Sequence, residues 1–146
     1  MAKRTGGFGR SFTRGLLRTA VWLYRRSGGK LGGKMFGAPV LLLTTTGRKS
    51  GRPWTVPLLC QTDGDRWVIV ASNGGSPRHP AWLLNLRSQP DVSIQIGRET
   101  YWVTAVETAG EERERLWRRM TDVYKGYDRY ARKTPRQIPV VALQGR

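Results

Sequence analysis

Residues 39–64 read PVLLLTTTGRKSGRPWTVPLLCQTDG. Two apolar runs, the first rich in β-branched residues at both ends, flank a turn that holds Arg48 and Lys49 between glycines, with Arg52 just after the second. Pro39 to Thr46 is expected as one strand, Gly47 to Pro53 as a turn and Trp54 to Thr62 as a second strand; Asp63-Gly64 then signals a hairpin. Strands joined by short turns pair antiparallel, because a parallel pair needs a long crossover. The pattern continues outward. Arg66 to Ser72 reads as a third strand and Asn73 to Pro77 as a loop. Pro80 suits the first turn of a helix running to about Ser88, which Pro90 ends. Val92 to Gly97 and Glu99 to Glu107 alternate apolar and polar residues, as a hairpin does. Glu111 to about Tyr124 is a charged helix with Leu116, Trp117, Met120 and Val123 on its apolar side. A short tyrosine-bearing helix follows, and Ile138 to Leu143 is a closing strand. The order β-β-β-α-β-β-α-β predicts a mainly β fold, an antiparallel sheet closed into a barrel with helices. There is no βαβ series and no Gly-x-Gly-x-x-Gly fingerprint, which argues against a Rossmann site.

The chain has 146 residues, 38% of them hydrophobic, enough for one core. We divide it into a basic amphipathic segment, residues 1–37, and a barrel domain, residues 38–146. No apolar run approaches the roughly 18 residues of a membrane span. One histidine, His79, and one cysteine, Cys60, cannot assemble a metal site. Cys60 lies in an apolar run and reads as a buried hydrophobe. A lone cysteine forms no internal disulfide, which fits a cytoplasmic location.

The formal net charge is +16, and no Asp or Glu precedes Asp63. This asymmetry points to an anionic partner for the first half: a membrane surface, a nucleic acid or a polyanionic cofactor. Arg10, Arg14, Arg18 and Arg25 fall on one stripe of a helix expected from Ser11 to Arg26; Phe12, Leu16, Ala20, Leu23 and Tyr24 fall opposite, with Leu17 at the edge. The apolar side packs on the domain, packs on a partner subunit, or lies on an anionic membrane surface through residues 8–26; the pattern alone does not choose. The last case would hold the protein peripherally at the inner face of the cell membrane. Nucleic acid is disfavoured, because the aromatic residues do not interleave with the basic stripe and no known module motif is present.

Two loops carry candidate chemistry. Thr44 to Gly51 offers hydroxyls, open backbone N–H groups and adjacent cations, which suit a phosphate. Ala71-Ser72-Asn73-Gly74-Gly75 runs toward the helix at Pro80; its glycines let backbone approach a ligand and the helix start favours an anion. Tyr124, Tyr127 and Tyr130 are spaced to share one side of a helix, as an aromatic lid or as packing on the barrel.

The ordered series Leu42 to Gly51, Pro57-Leu58, Asp63-Gly64-Asp65, Ala71 to Gly75 and Pro80 to Leu86, with the three tyrosines and Ile138-Pro139-Val140-Val141, resembles the deazaflavin (F420)-dependent nitroreductase family, among the actinobacterial flavin/deazaflavin oxidoreductases. The resemblance covers about Pro39 to Leu143. It implies a split β-barrel of FMN-binding type and coenzyme F420, an 8-hydroxy-5-deazaflavin bearing a phosphate and a polyglutamate tail. It places the phosphate on the turn of Arg48, Lys49 and Ser50, with Thr46, Gly47 and Arg52 beside it. It places the ring and linker along Ser72, Asn73, Gly74, Gly75, Pro80, Trp82 and Asn85, near Pro57 and Ala71. The implied activity moves hydride from the reduced coenzyme to a quinone or nitroaromatic acceptor, a small molecule, with Ser72 and a tyrosine (Tyr124, Tyr127 or Tyr130) polarising the acceptor. No metal is called for. FMN is the lesser cofactor alternative, and a lipid- or fatty-acid-binding barrel without redox activity is the competing reading. The sequence departs from the family where Asn73 replaces a common lysine and Trp54 replaces a basic residue; Arg52 is the candidate to supply that charge.

Overall fold

A computed structural model describes residues 2–145, with side chains from Arg14 onward. Helix α1 spans Ala2–Ser27 and is followed by β1 (Lys34–Met35), β2 (Ala38–Thr46), β3 (Pro53–Leu59), β4 (Gln61–Asp63) and β5 (Arg66–Val70). After the 3-10 turn Asn73–Gly75 come α2 (Ala81–Ser88), β6 (Asp91–Ile96), β7 (Glu99–Glu107), α3 (Gly110–Val123), α4 (Gly126–Lys133) and β8 (Val140–Gly145). The strands form one antiparallel sheet in the order β1-β2-β6-β7-β8-β5-β4, with β3 paired to β2.

The apolar run on β2 is buried on both faces, which is why it does not alternate. Val40 and Leu42 point into a cluster with Tyr24, Leu116, Met120 and Tyr127 from the helices α1, α3 and α4. Leu41 and Leu43 point the other way, into a cluster with Trp82, Leu83 and Leu86 of α2. Strands β5 and β8 divide alike: Val68, Val70 and Val140 face the first cluster, while Ile69, Val141 and Leu143 face the second. Period-two geometry thus gives one sheet two cores.

Three expectations are corrected. The strand expected from Trp54 to Thr62 breaks at Cys60, whose N–H donates to Pro39 O at 3.0 Å. Before the break the chain pairs with β2; after it, Gln61 pairs with Val68 of β5. The third strand ends at Val70, so Ser72 starts the loop instead. Helix α1 begins at Ala2 rather than near Ser11, because apolar periodicity detects a helix only where its stripe begins. The positions expected for Arg10 and Phe12 lie outside the described side chains.

The packed face of α1 also differs from the expected stripe. Val21 and Tyr24 are buried, whereas Leu16 and Leu23 are 57% and 36% exposed. The Tyr24 phenol donates to Val40 O (2.9 Å) and accepts from Gly97 N–H (2.9 Å), fixing the helix where β2 meets the β6–β7 turn. Gly28, at φ 64°, ends the helix, and Gly29 N–H donates back to Tyr24 O at 2.8 Å.

Cys60 is wholly buried, and that burial pushes its thiol up to about 12. We expect a thiol-alkylating reagent to leave the native protein unlabelled at pH 8 and to label it fully in urea. Rapid native labelling, read by mass spectrometry, would show the break at Cys60 to be open.

Helix α3 is tied to the β4–β5 hairpin through Asp63, which accepts from Arg115 (2.8 Å) and Arg66 (2.7 Å). These two guanidinium groups hold its carboxyl well below the usual carboxylate range. The folded group titrates below its unfolded value, near 3.9, so its contribution is whole above that pH and is lost as pH falls below it. Asp63→Asn is therefore expected to lower the urea midpoint at pH 7, with the gap to the parent closing in more acid solution. An equal gap at pH 7 and pH 3 would contradict the linkage.

Candidate active site

Strand direction decides which loops meet. Each neighbour in the order β2-β6-β7-β8-β5 is antiparallel to the last, so β2 and β5 point the same way. The turn after β2 (Gly47 to Arg52) and the loop after β5 (Ala71 to Pro80) therefore leave from one rim.

The turn is closed by two backbone bonds, Gly47 N–H to Arg52 O and Gly51 N–H to Gly47 O, both 2.8 Å. Gly51 sits at φ 69°, a conformation that favours glycine. Thr46, Arg48, Lys49, Ser50 and Arg52 are exposed. The Ser50 hydroxyl accepts from Arg52 N–H at 3.2 Å, which leaves its own proton for a ligand.

Asn85 joins this turn to α2. Its side chain is 3% exposed, so every polar atom needs a partner. Oδ1 accepts from Arg48 N–H (3.1 Å) and Arg48 Nη1 (3.3 Å), and Nδ2 donates to Thr45 Oγ1 (3.0 Å). Asn85 lies about one helical turn from Pro80, so α2 spans the gap between the two loops. Asn85 thus holds the cationic turn from beneath. Trp82 and Ala71 are likewise buried in the core behind the loop, while Pro57 is half-buried on β3.

Arg136, which carries no signal in the sequence, holds the second loop. Nη2 donates to Ser72 O (2.9 Å) and Ala71 O (3.2 Å), and Nε donates to Ser76 O (3.0 Å). Nη1 lies 3.1 Å from His79 Nδ1. Arginine has no acceptor, so Nδ1 must accept and the ring is the Nε2–H tautomer. Burial, and then the Arg136 charge, lower the His79 pKa, in keeping with a neutral ring. Nothing in the stretch Thr134-Pro135-Arg136-Gln137 distinguishes this arginine from a solvated one before its acceptors are seen.

The glycines of the loop differ in role. A Cβ on Gly75 would lie 3.0 Å from Tyr130 Cα and 3.1 Å from Tyr130 O, so Gly75 admits α4 rather than a ligand. A Cβ on Gly74 would meet nothing within 4 Å, and Gly74 is exposed. Asn73 takes φ 47° and its Nδ2 donates to Arg78 O at 3.0 Å. Lys133 Nζ donates to Gly74 O at 3.4 Å, bringing a cation beside Asn73.

The tyrosines divide as well. Tyr127 is 5% exposed and belongs to the core, so it takes the packing role; burial raises its pKa strongly. Tyr124 and Tyr130 are half-buried, with their hydroxyls 3.0 Å apart. That hydrogen bond, and then burial, raise the Tyr130 pKa, so it keeps its proton at neutral pH. Phe36 stacks on Tyr124 at 4.7 Å between centroids. Asn85 thus links the cationic turn to α2, and Gly75 packs the Ser72–Pro80 loop against Tyr130 of α4.

The family model of F420H(2)-dependent quinone reductases matches residues 16–145. The chain belongs to this family. It is 42% identical over 135 residues to the F420H(2)-dependent quinone reductase Rv1261c of Mycobacterium tuberculosis, covering 90% of this chain and 91% of that one. The structure of an F420-H2 dependent reductase, FDR-A, superposes with a TM-score of 0.68 at 42% identity, over 73% of this chain and 94% of that one. A structure described as a domain-swapped dimer gives 0.68 at 34% identity, over 97% and 99%. The fold is thus the split β-barrel of the F420-dependent reductases, and coenzyme F420 is the family's cofactor. The exposed cations, the free Ser50 proton and the uncrowded Gly74 fit a phosphorylated flat ring. Among the described residues, no group of three or more His, Cys, Asp or Glu side chains gathers to hold a metal.

Proposed function

We propose that this protein reduces a quinone with F420H2, and that one observation carries the assignment of its site: Asn85 and Arg136 hold a cationic turn and a glycine-opened loop on the same rim. When bound, the reduced coenzyme supplies a hydride. Arg48, Lys49, Ser50 and Arg52 hold the phosphate, with Thr46 and Gly47 shaping the turn. Ser72, Asn73, Gly74 and Pro80 present backbone and side chain to the ring, while Trp82, Asn85, Ala71 and Gly75 support that surface from behind. Tyr124 and Tyr130 cover the acceptor; a phenol donates a hydrogen bond to the quinone oxygen that gains negative charge, and Ser72 assists it. The quinone takes the hydride and a proton from solvent to become the hydroquinone. Positioning two reactants and excluding water are the protein's contributions.

The family assignment favours F420 over FMN and over a lipid-filled barrel. The reaction is tested by mixing protein, reduced F420 and menadione without oxygen. The oxidised coenzyme's absorbance should return in step with quinone consumed; no return above the protein-free rate would refute the assignment.

A peripheral place at the inner membrane face, where quinones reside, would use the side of α1 where Leu16 and Leu23 are exposed. Among the described residues no helix is long and apolar enough to cross a membrane. Co-sedimentation with anionic phospholipid vesicles, lost on Leu16→Ser/Leu23→Ser, checks this; sedimentation unchanged by the double variant would remove it.

A further inference from the structure

Strand β1 turns into β2 through two residues, because Met35 pairs with Ala38 and Phe36 and Gly37 lie between them. Both take positive φ, 53° and 77°. A two-residue hairpin loop with both φ positive favours Asn, Asp or Gly at its first position. Phenylalanine stands there instead. Among the described residues, the non-glycine residues at positive φ are Phe36 and Asn73. Asparagine tolerates that region, whereas a bulky side chain is strained in it. The ring is also 66% exposed, so core burial does not offset the strain. Neither turn chemistry nor the core accounts for Phe36, and a strained residue of this kind directs attention to a binding role.

What the ring touches supplies the rest. Phe36 stacks on Tyr124, with centroids 4.7 Å apart and planes 17° from parallel. Tyr124 is itself fixed. Tyr127 meets it edge-on at 5.1 Å, its hydroxyl lies 3.0 Å from the Tyr130 hydroxyl, and a Cβ on Gly126 would overlap its ring. The stack therefore sets the Phe36 ring on the phenol that carries one of the two paired hydroxyls, and leaves most of that ring open to solvent.

We infer that Phe36 is an acceptor-binding residue of the quinone reaction: the hairpin tip offers an apolar wall to the quinone ring while the Tyr124–Tyr130 hydroxyl pair meets its oxygen. The inference rests on the placement of the acceptor at these tyrosines. It deepens that placement by naming what binds the hydrocarbon part of the acceptor, which hydroxyls cannot. A flat ring gains most from an aromatic face already held in position, because little side-chain freedom is then lost on binding.

Phe36→Asn and Phe36→Gly both suit the turn, so neither should lower the melting temperature by more than about 2 °C. With F420H2 saturating, each should raise the KM for menadione about tenfold and keep kcat within about twofold of the parent, the pattern of lost binding rather than lost chemistry. The dissociation constant of menadione, measured by calorimetry with the oxidised coenzyme bound and no turnover possible, should rise by the same factor. Affinity for the coenzyme should not change. Phe36→Tyr keeps the ring and should show the parent KM. Parent-like KM and dissociation constant in the Asn and Gly variants would overturn the inference and leave the reaction assignment standing. An equal rise in KM for Phe36→Tyr would overturn it too, as would a lowered melting temperature with KM unchanged, which would make Phe36 a packing residue. An unaltered protein that neither binds nor reduces menadione would overturn the placement of the acceptor itself, and this inference with it.

Discussion

Arg136→Met is expected to lower the melting temperature by about 10 °C and to weaken coenzyme binding at least tenfold. One guanidinium serves Ala71 O, Ser72 O, Ser76 O and His79 Nδ1 at 2.9–3.2 Å. Removing it takes a donor from Ala71 O, Ser76 O and His79 Nδ1 at once, while Ser72 O keeps Gly75 N–H at 2.9 Å, at a cost of about 3 kcal/mol. For a chain of this length each kcal/mol moves the melting point by about 3 °C. The affinity falls because Ser72 and Gly74 no longer hold the conformation that meets the ring. Arg136→Lys keeps the charge but not the planar fork, so it should recover part of the melting temperature and little of the affinity. Parent-like affinity in Arg136→Met, measured well below its melting transition, would show that the loop does not need the clamp.

Asn85 offers a sharper separation of fold from binding. Asn85→Leu removes the acceptor for Arg48 N–H and the donor to Thr45, two groups at a position 3% exposed. It should cost about 2–3 kcal/mol and loosen the turn. Asn85→Asp keeps an acceptor for Arg48, and the Thr45 hydroxyl can rotate to donate to the carboxylate. Stability should therefore stay within about 1 kcal/mol of the parent. The new negative charge, however, sits beneath the phosphate site. Affinity for the phosphorylated coenzyme should fall about tenfold, with binding of the unphosphorylated chromophore unchanged. An equal loss for both ligands would mean that Asn85 supports the ring and not the phosphate turn.

Much of this architecture was legible because it rests on local signals. The turn at Gly47–Arg52 and the helix after Pro80 are marked by glycine, cations and proline. Where the determinants are tertiary, the sequence is silent. No Gly or Pro marks the break at Cys60, which follows from the chain leaving β2 for β5. Periodicity groups Leu16 and Leu23 with Tyr24 as one apolar side, but Tyr24 turns with Val21 toward the barrel because its phenol finds partners there. A glycine at position 75 suggests an opening for a ligand, but its neighbour is the backbone of Tyr130, distant in sequence. Tyr127 differs from Tyr124 and Tyr130 only in what covers it. Arg136 carries no local mark at all.

The most direct test of the site compares coenzyme F420 with its bare deazaflavin chromophore, lacking phosphate and tail, in the unaltered protein and in Arg48→Gln/Lys49→Gln. The dissociation constant is read from fluorescence quenching at fixed salt. We expect the phosphorylated coenzyme to bind about 100-fold more tightly than the chromophore, as several charge-assisted bonds would give. The double variant should lose most of that preference and bind the chromophore as before. A preference unaltered by loss of both cations would place the phosphate elsewhere and contradict the assignment of the turn.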